Sequence, residues 1–326
     1  MFKIGNVLIK NGIVIAPMAG VSNIVFRELC LEYGAGMVCS EMVSDKALYF
    51  NNYKTSEILM TNDFQHPLSM QLFGYDIDTM VLGAKYLDDN TNCDIIDINM
   101  GCPVNKIVKS KGGSYLLKDQ KHAIELVRAV VGAVKKPVSV KMRIGYDHSY
   151  YNYLYLSQEF EKLGVACIIL HGRTKSDLYS NRANWEHVKL LKKHLKIPVI
   201  GNGDINSLDD YIKYKELTNC DGIMIGRGVI GNPFLIREID AYINNYDFIK
   251  PSYQQIIDCC LSHCLKLIDV YKEDRAVKII RGLSLRYIKG LPYNISVKKD
   301  LVKVVSYTEL ENILYNYLSL LNKEVA

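Results

Sequence analysis

The chain has 326 residues, of which 49% are hydrophobic and 23% charged, with a net charge of +5. This is an ordinary globular composition, and no apolar stretch approaches the roughly 18 residues that a membrane-spanning helix needs. Residues 1–20 lack the cleavage pattern of a signal peptide, and the mild basic charge is compatible with a polyanionic partner without identifying one. We therefore expect a cytoplasmic protein with no membrane partner, and we expect a monomer.

Short apolar, strand-like runs alternate with longer helix-like segments along the first part of the chain. The predicted strands are 13–16, 36–39, 68–72, 95–99, 138–141, 167–170, 199–201 and 222–225, and the clearest amphipathic segments are 121–134, 153–163, 185–194 and 208–217. Strands that are apolar on both faces and alternate with helices indicate a parallel sheet. Eight such units favour a closed barrel, so we predict the α/β class and a (β/α)8 TIM barrel.

The pattern changes after Pro233, because no further strand-like run follows and residues 253–271, 274–289 and 307–322 are typical of helices. A length above the roughly 250 residues of one such barrel also suggests an appendage. We predict a barrel domain over residues 1–245 and an all-helical C-terminal domain over residues 246–326.

Polar residues follow seven of the eight predicted strands. In barrels of this type the carboxyl ends of the strands form the active site, and packing alone would not place polar groups there. The segments concerned are Ala16 to Gly20, Gln71 to Gly74, Asn99 to Pro103, Lys141 to Arg143, His171 to Arg173, Asn202 to Asp204 and Gly226 to Gly228.

The last two strand ends predict a phosphate site. Gly203 would let the backbone approach closely, and Gly226 with Arg227 would supply backbone N–H groups and a cation, as in the usual phosphate site of such barrels. Lys141 and Gln71, nearer the barrel axis, could hydrogen-bond a flavin ring and stabilise negative charge on it. Residues 226–231 also match the dinucleotide pattern G-x-G-x-x-G, but a Rossmann unit needs a further parallel strand, and only helices follow.

These strand-end motifs resemble the tRNA-dihydrouridine synthase family over essentially the whole chain, and most of all its bacterial DusB branch. The motifs are Ala-Pro-Met-Ala-Gly at 16–20, Ser-Glu-Met-Val at 40–43, Gln-Leu-Phe-Gly at 71–74, Asp-Ile-Asn-Met-Gly-Cys-Pro at 97–103, Lys-Met-Arg at 141–143, His-Gly-Arg-Thr at 171–174 and Asn-Gly-Asp-Ile at 202–205. The resemblance implies an oxidoreductase that reduces the C5=C6 bond of uridines in tRNA, using FMN recharged by NADPH.

The resemblance also implies roles for individual residues. The expected FMN contacts are Pro17, Met18, Ala19, Gln71, Lys141, His171, Asn202, Gly203, Asp204, Gly226 and Arg227. Asn99, Lys106 and Arg173 are expected at the substrate, and Cys102 is expected to be the proton donor. A thiol suits that task, because with a pKa of about 8.5 it stays protonated near neutrality yet can release its proton.

The nine cysteines include no Cys-x-x-Cys pair, and their odd number does not suggest a disulfide framework or a zinc ribbon. We expect Cys30, Cys39, Cys93, Cys167 and Cys220 to be buried small hydrophobic residues. The group Cys259, Cys260, His263 and Cys264 could suggest a metal site, but on a helix its two pairs point apart, so helix packing is favoured.

A basic stripe lies on the segment 272–289 when this segment is placed on one helical wheel. Lys272, Arg275, Lys278, Arg286 and Lys289 fall within an arc of about 120° on a helical wheel. The stripe is either a solvated face or a surface for RNA phosphates, and we favour RNA contacts by Lys278 and Arg286. The family often carries Arg-Lys-His where this chain has Arg281-Gly282-Leu283, so only Arg281 matches.

Two rival functions remain open at this point. The first is a small-molecule FMN reductase of the dihydropyrimidine or dihydroorotate type, although such enzymes do not usually carry a basic helical domain or the Asn-Met-Gly-Cys-Pro loop. The second is an RNA-binding protein on an inactive barrel. The sequence predicts no metal site, and it leaves open the uridine positions, ribosomal RNA as a substrate, and NADPH against NADH.

Overall fold

The computed structural model describes residues 1–50 and 53–323, and the chain divides into two compact units, Met1–Gly226 and Arg227–Ala326. The division falls directly after the last barrel strand, before the boundary predicted between residues 245 and 246. A contact inside the second unit explains the difference: a Cβ at Gly231 would lie 2.4 Å from the backbone nitrogen of Tyr287. The turn at Gly231 therefore packs against the C-terminal helices. The last three residues of the predicted helical domain lie outside the described residues.

The first unit contains a closed barrel of parallel strands, which confirms the predicted (β/α)8 fold. The described strands are β1 (Phe2–Ile4), β2 (Val7–Ile9), β3 (Ile13–Ile15), β4 (Met37–Ser44), β5 (Leu68–Phe73), β6 (Ile95–Met100), β7 (Val138–Gly145), β8 (Cys167–Thr174), β9 (Val199–Asn202) and β10 (Gly222–Ile225). β3 to β10 follow one another around the barrel, and β10 closes it by pairing with β3. The strands β4, β7 and β8 run farther toward their carboxyl ends than predicted.

The interior of the barrel is apolar toward the amino ends of the strands. The hairpin of β1 and β2, which the sequence analysis did not predict, buries Ile4 and Ile9 completely. Both pack in one cluster with interior residues such as Met37, Ile95 and Ile200. Because this half of the interior is filled by apolar side chains, the polar groups of the barrel gather at the opposite, carboxyl ends of the strands.

The four helical segments predicted for the barrel agree with helices of the structure to within one residue at each end. Those described in the first unit are α1 (Ile24–Glu32), α2 (Asp45–Tyr49), α3 (Tyr53–Ile58), α4 (Ile77–Asn90), α5 (Asn105–Lys109), α6 (Gln120–Ala133), α7 (Tyr153–Lys162), α8 (Glu186–His194) and α9 (Leu208–Thr218). Side-chain caps fix several starts, since Asn23, Asp119 and Ser207 each accept a hydrogen bond from a backbone N–H of the first turn.

The second unit is helical throughout its described residues. Its helices are α10 (Phe234–Asn244), α11 (Tyr253–Tyr271), α12 (Glu273–Tyr287), α13 (Asn294–Leu301) and α14 (Tyr307–Asn322). The predicted helix 274–289 agrees with α12 to within two residues, but the segment 272–289 on which the basic stripe was placed is too long at both ends. Lys272 has a φ of 62° and separates α11 from α12, and Lys289 lies beyond the end of α12 at Tyr287. Among the described residues, no helix is long and apolar enough to span a membrane.

Candidate active site

Cys102 lies in a short loop, residues 101–104, between β6 and α5, and this segment is called the Cys102 loop below. The Asn99 side chain fixes it, because its Oδ1 accepts hydrogen bonds from the backbone nitrogens of Gly101 at 3.0 Å and Cys102 at 2.9 Å. The carbonyl of Cys102 accepts from the backbone nitrogen of Ser114 at 3.1 Å and from its Oγ at 2.9 Å. The loop is therefore fixed from both sides.

Two further residues that the sequence analysis did not assign fix the same loop. The buried Arg143 donates from Nε to the carbonyl of Gly101 at 2.9 Å, and its terminal nitrogens donate to the carbonyls of Thr174 and Leu178. Gly113 has a φ of 58°, and a Cβ there would lie 2.9 Å from the carbonyl oxygen of Cys102. Arg143 was detectable in principle, since it shares a strand face with Lys141 two residues earlier.

The Cys102 side chain differs from the other eight thiols. Cys102 is partly exposed, whereas the remaining cysteines, all within the described residues, are buried, which confirms the prediction for Cys30, Cys39, Cys93, Cys167 and Cys220. Desolvation raises the pKa of the Cys102 thiol above its ordinary value, although a backbone hydrogen bond at Val104 and the charges of Arg143 and Lys141 oppose the shift. Cys102 therefore remains a protonated thiol at neutral pH, which is the form a proton donor needs.

A buried hydrogen-bond network lies beside Asn99. Its Nδ2 donates to Oε1 of Gln71 at 2.6 Å, and Nε2 of Gln71 donates to Oδ2 of Asp97 at 2.7 Å. The other carboxylate oxygen of Asp97 accepts from Oγ of Ser139 at 2.6 Å. Desolvation raises the pKa of Asp97 to about 6, against the stabilising hydrogen bonds and the charge of Lys141. Asp97 lies in the Asp-Ile-Asn-Met-Gly-Cys-Pro motif, but no role was predicted for it.

Lys141 projects from β7, which pairs with β6 so that Lys141 lies opposite Asn99. Its Nζ donates to Oδ1 of Asn202 at 3.1 Å, and Nδ2 of Asn202 donates to the carbonyl of Met224. Desolvation and the neighbouring charge of Arg143 lower the pKa of Lys141 to about 8. An ammonium group in this position is suited to an anionic or electron-rich ligand, which would restore part of the lost solvation.

His171, Arg173 and Asp204 are brought together at the ends of β8 and β9. Arg173 donates from one terminal nitrogen to both carboxylate oxygens of Asp204, at 2.6 and 2.8 Å, and from the other to Nε2 of His171 at 3.1 Å. Its Nε donates to the carbonyl of Asn181. Arg173 is buried and bonded through all three nitrogens, so here it orders the strand ends. A direct substrate contact by Arg173 remains a prediction.

The predicted flavin-contacting segment Pro17 to Ala19 forms a turn directly after β3. Its backbone is fixed by Ser22, whose Oγ donates to the carbonyl of Ala16 and accepts from the backbone nitrogen of Met18. A Cβ at Gly226, at the end of the adjacent β10, would be in ordinary van der Waals contact with Cβ of Ala16 at 3.7 Å and Sδ of Met18 at 3.8 Å. Gly226 therefore lies directly beside this segment, and its contact with a phosphate-bearing ligand remains a prediction.

Gly203 and Arg227 are the other two residues predicted to bind the phosphate, and the fold gives a structural reason for the residue type only at Gly203. Gly203 has a φ of 133°, and a Cβ there would lie 2.5 Å from Cβ of Ala183, so the backbone itself requires glycine. Arg227 begins a short 3-10 helix that belongs to the second unit.

The residues predicted to contact RNA lie on the surface of their respective units. Lys106 is exposed on α5, directly after the Cys102 loop. On α12, Arg275, Lys278 and Arg286 are exposed, and these three residues are called the α12 stripe below. Arg281 is not part of this exposed surface, because it is half-buried and its Nε donates to the carbonyl of Val304.

The cysteine- and histidine-rich segment of α11 is part of the helical core. Cys259, Cys260, His263 and Cys264 are all buried, and Nδ1 of His263 forms a hydrogen bond of 3.0 Å with the hydroxyl of Tyr287 on α12. Within residues 1–50 and 53–323, no group of three or more His, Cys, Asp or Glu side chains could hold a metal ion.

Solved structures with a similar fold include two enzymes of low sequence identity. Histamine dehydrogenase from Rhizobium sp. 4-9 superposes with a TM-score of 0.56 and 15% identity over 81% of this chain. A 2-naphthoyl-CoA reductase superposes with a TM-score of 0.55 and 14% identity over 75% of this chain. The chain spans about half the length of each, 50% and 52%. These likenesses support the barrel fold alone.

The sequence itself is similar to proteins of one family. Residues 14–322 match the family described as Dihydrouridine synthase (Dus). A probable tRNA-dihydrouridine synthase of Rickettsia bellii is 35% identical, over 99% of this chain and 100% of that protein. The tRNA-dihydrouridine synthase B of Pseudomonas putida is 37% identical, over 86% of this chain and 83% of that protein. The chain belongs to the dihydrouridine synthase family, as its strand-end motifs predicted.

Proposed function

We propose that this protein is a cytoplasmic tRNA-dihydrouridine synthase that uses FMN and NADPH to reduce the C5=C6 bond of specific uridines in tRNA. The observation that carries the proposal is the Cys102 thiol. It is protonated and partly exposed, and it is held at the end of β6 beside a buried set of amide and ammonium donors on β5, β6 and β7. The family membership and the names of the relatives support the substrate.

The residues at the barrel mouth fit a flavin mononucleotide. Lys141 and Gln71 are donors suited to the electron-rich C2=O edge or neighbouring acceptors of the ring, and Asn202 holds the Lys141 ammonium in place. The segment Pro17 to Ala19 and the backbone at Gly226 would contact the ring and the phosphate, with His171, Gly203, Asp204 and Arg227 as the remaining predicted contacts. When bound, FMN recharged by NADPH would supply the hydride for C6 of the uracil.

Cys102 would supply the proton for C5 from the opposite face of the base. Its raised pKa keeps the proton on sulfur until a carbanion-like C5 develops. Asn99, Arg143 and Ser114 fix the backbone on both sides of the thiol. The thiol is therefore positioned before the reaction begins. Asn99 and Arg173 are the proposed uracil contacts inside the mouth.

The RNA backbone would bind to exposed lysine and arginine side chains. Lys106 follows the Cys102 loop directly and is suited to a phosphate beside the target nucleotide. Lys278 and Arg286 of the α12 stripe are the proposed phosphate contacts of the helical unit. We propose that the protein acts as a monomer.

The direct test incubates the purified protein with NADPH and unmodified tRNA, and in parallel with free uracil and with orotate. We expect a tRNA nucleoside two mass units heavier than uridine and little turnover of the free bases. Turnover of the free bases without turnover of tRNA would instead assign a small-molecule reductase. A preparation without a yellow chromophore that NADPH bleaches would support an RNA-binding protein on an inactive barrel.

A further inference from the structure

We propose that Asp97 is a positioning residue that orders the Cys102 loop through a directional relay of hydrogen bonds across Gln71 and Asn99. The proposal rests on the proposed function, because it explains how the proton donor is held in place. Each link is short, at 2.7 Å from Gln71 Nε2 to Asp97 and 2.6 Å from Asn99 Nδ2 to Gln71 Oε1. The relay ends on two backbone N–H groups of the loop, which donate to Asn99 Oδ1.

The direction of the relay follows from its two ends. An ionised carboxylate can only accept hydrogen bonds, and a backbone N–H can only donate them. Gln71 must therefore turn its NH2 group to Asp97 and its oxygen to Asn99. Asn99 must then turn its NH2 group to Gln71, which leaves its oxygen for the loop. Both ends demand the same orientation of both amides, so one buried charge determines which atom of Asn99 meets the Cys102 loop.

The relay is buried, which makes its direction costly to reverse. Asp97, Gln71 and Asn99 are each at most 6% exposed. Two acceptors or two donors forced together at such a site would lose a hydrogen bond without gaining one to water. The relay also leaves the second N–H of the Gln71 amide for a ligand. The Gln71 amide therefore presents an N–H donor to a ligand, which is the role proposed for it toward the flavin ring.

The ionisation of Asp97 depends on groups from several strands. Gln71 on β5 and Ser139 on β7 hydrogen-bond its carboxylate, and the Lys141 ammonium on β7 stabilises its charge. The buried thiols of Cys39 on β4 and Cys167 on β8 also face it, and the Asp97 charge raises the pKa of both. A second carboxylate placed in the relay would add a like charge and favour protonation of one of the pair.

An exchange of two side chains tests the direction of the relay. In Asn99→Asp, the new carboxylate accepts from the loop and demands a donor from Gln71, whose oxygen then faces the Asp97 carboxylate. Adding Asp97→Asn resolves this conflict, because the amide that replaces the Asp97 carboxylate donates to Gln71 and accepts from Ser139. The double variant keeps the net charge and every hydrogen bond of the relay, with its direction reversed, and loses only the weak contact from Asn99 Nδ2 to Sδ of Met42.

The measurement is the hydrogen-exchange protection of the loop amides in the purified 326-residue chain, without substrate. At pH 9 we expect Asn99→Asp to lose protection about tenfold, the equivalent of one hydrogen bond, and to recover it at pH 6 as a carboxyl of the pair becomes protonated. The double variant should stay within about threefold of the wild type at both pH values. Ser139→Ala, which removes a bond to Asp97 outside the relay, is the matched control and should leave the loop protected.

Unchanged protection in Asn99→Asp at pH 9 would overturn the proposal, and so would a double variant no better protected than Asn99→Asp. These results do not depend on turnover. The wild type could fail to reduce tRNA uridine while the variants show the expected hydrogen-exchange protection. In that case the proposed function fails and the relay stands.

Discussion

The Cys102 loop and the α12 stripe are both proposed to act on the same substrate, but the protein holds them in opposite ways. The backbone of the loop donates a hydrogen bond to Asn99 and accepts hydrogen bonds from Ser114 and Arg143, and these three partners are buried. The side chains of the α12 stripe are exposed and project from a helix whose opposite face is packed. Changes in the loop should therefore alter reaction steps strongly, whereas changes in the stripe should alter binding weakly.

The largest expected effect is that of Cys102→Ala. Loss of the proton donor should slow uridine reduction by about 10²- to 10⁴-fold, while FMN binding and flavin reduction by NADPH stay near wild type. Single-turnover formation of dihydrouridine, compared with the rate at which NADPH bleaches the flavin, separates the two steps. Undiminished dihydrouridine formation in a single turnover would refute the role of Cys102.

The alkaline limb of the same reaction should depend on the same thiol. Because desolvation raises the pKa of Cys102, the protonated form persists above the ordinary pKa of a thiol, about 8.5, and single-turnover reduction with saturating FMN should not fall until the pH exceeds that value. A limb that begins near neutrality would mean that another group donates the proton.

The next largest effect is expected for Arg143→Met, which removes the donors to Gly101 and to the loop after β8. We expect uridine reduction to fall about 10- to 100-fold, because a misplaced donor loses its orientation, with flavin reduction little changed. Arg27→Met is the matched control. Arg27 is also a buried arginine, and it donates to Gln65, Ser22 and Met60, none of which belongs to the Cys102 loop. Equal losses of uridine reduction in the two variants would mean that Arg143 acts only through stability.

The sequence could predict the strand ends but not the bonds between them. Carboxyl ends of parallel strands meet at one end of a barrel, so Gln71, Asn99, Lys141 and Asn202 could be grouped in advance. Which of their atoms meet depends on register, for example the pairing of Gln71 with Asp97, and no propensity encodes that. The alternation of side chains along a strand did hold a usable signal, since Asp97 shares a face with Asn99.

The basic stripe of the helical unit was predicted less accurately than the helices 253–271 and 307–322, whose bounds match α11 and α14, and the reason is physical. A helical wheel assumes an unbroken helix, but the left-handed backbone at Lys272 interrupts it, and a lysine in that conformation has no clear sequence signal. Lys272 and Lys289 therefore leave the predicted arc, while Arg275, Lys278 and Arg286 remain on α12. The compact units divide earlier than the predicted domains, because the packing of Gly231 against Tyr287 is a long-range contact that the sequence does not reveal.

An intermediate effect is expected for the pH dependence of FMN binding. The pKa of Lys141 is lowered to about 8, so the ammonium is mostly charged at pH 7 and mostly neutral at pH 9. An electron-rich ligand binds the charged form better, so binding takes up a proton and the Kd should rise about tenfold between pH 7 and 9. Fluorescence titration measures the Kd of FMN. The second ionisation of the FMN phosphate, near pH 6, lies below this range and does not contribute to the expected change.

The matched variant for this titration is Lys141→Gln, which keeps a donor but does not titrate. Its Kd should be higher than that of the wild type at pH 7 and almost constant up to pH 9. A pH dependence that survives in Lys141→Gln would assign the linked proton to another group.

The smallest effect is expected for Lys278→Ala and Arg286→Ala. Each removes one proposed phosphate contact from an exposed surface, so tRNA affinity should fall about three- to tenfold and the slope of log K against log salt should decrease by about one. Lys85→Ala, at an exposed position of α4 on the outside of the barrel, is the matched control. If all three variants bind tRNA alike at several salt concentrations, the α12 stripe is a solvated face. The rate of uridine reduction at saturating tRNA should be unchanged in all three, because a phosphate contact that is equally strong in the ground and transition states alters binding without altering the chemical step.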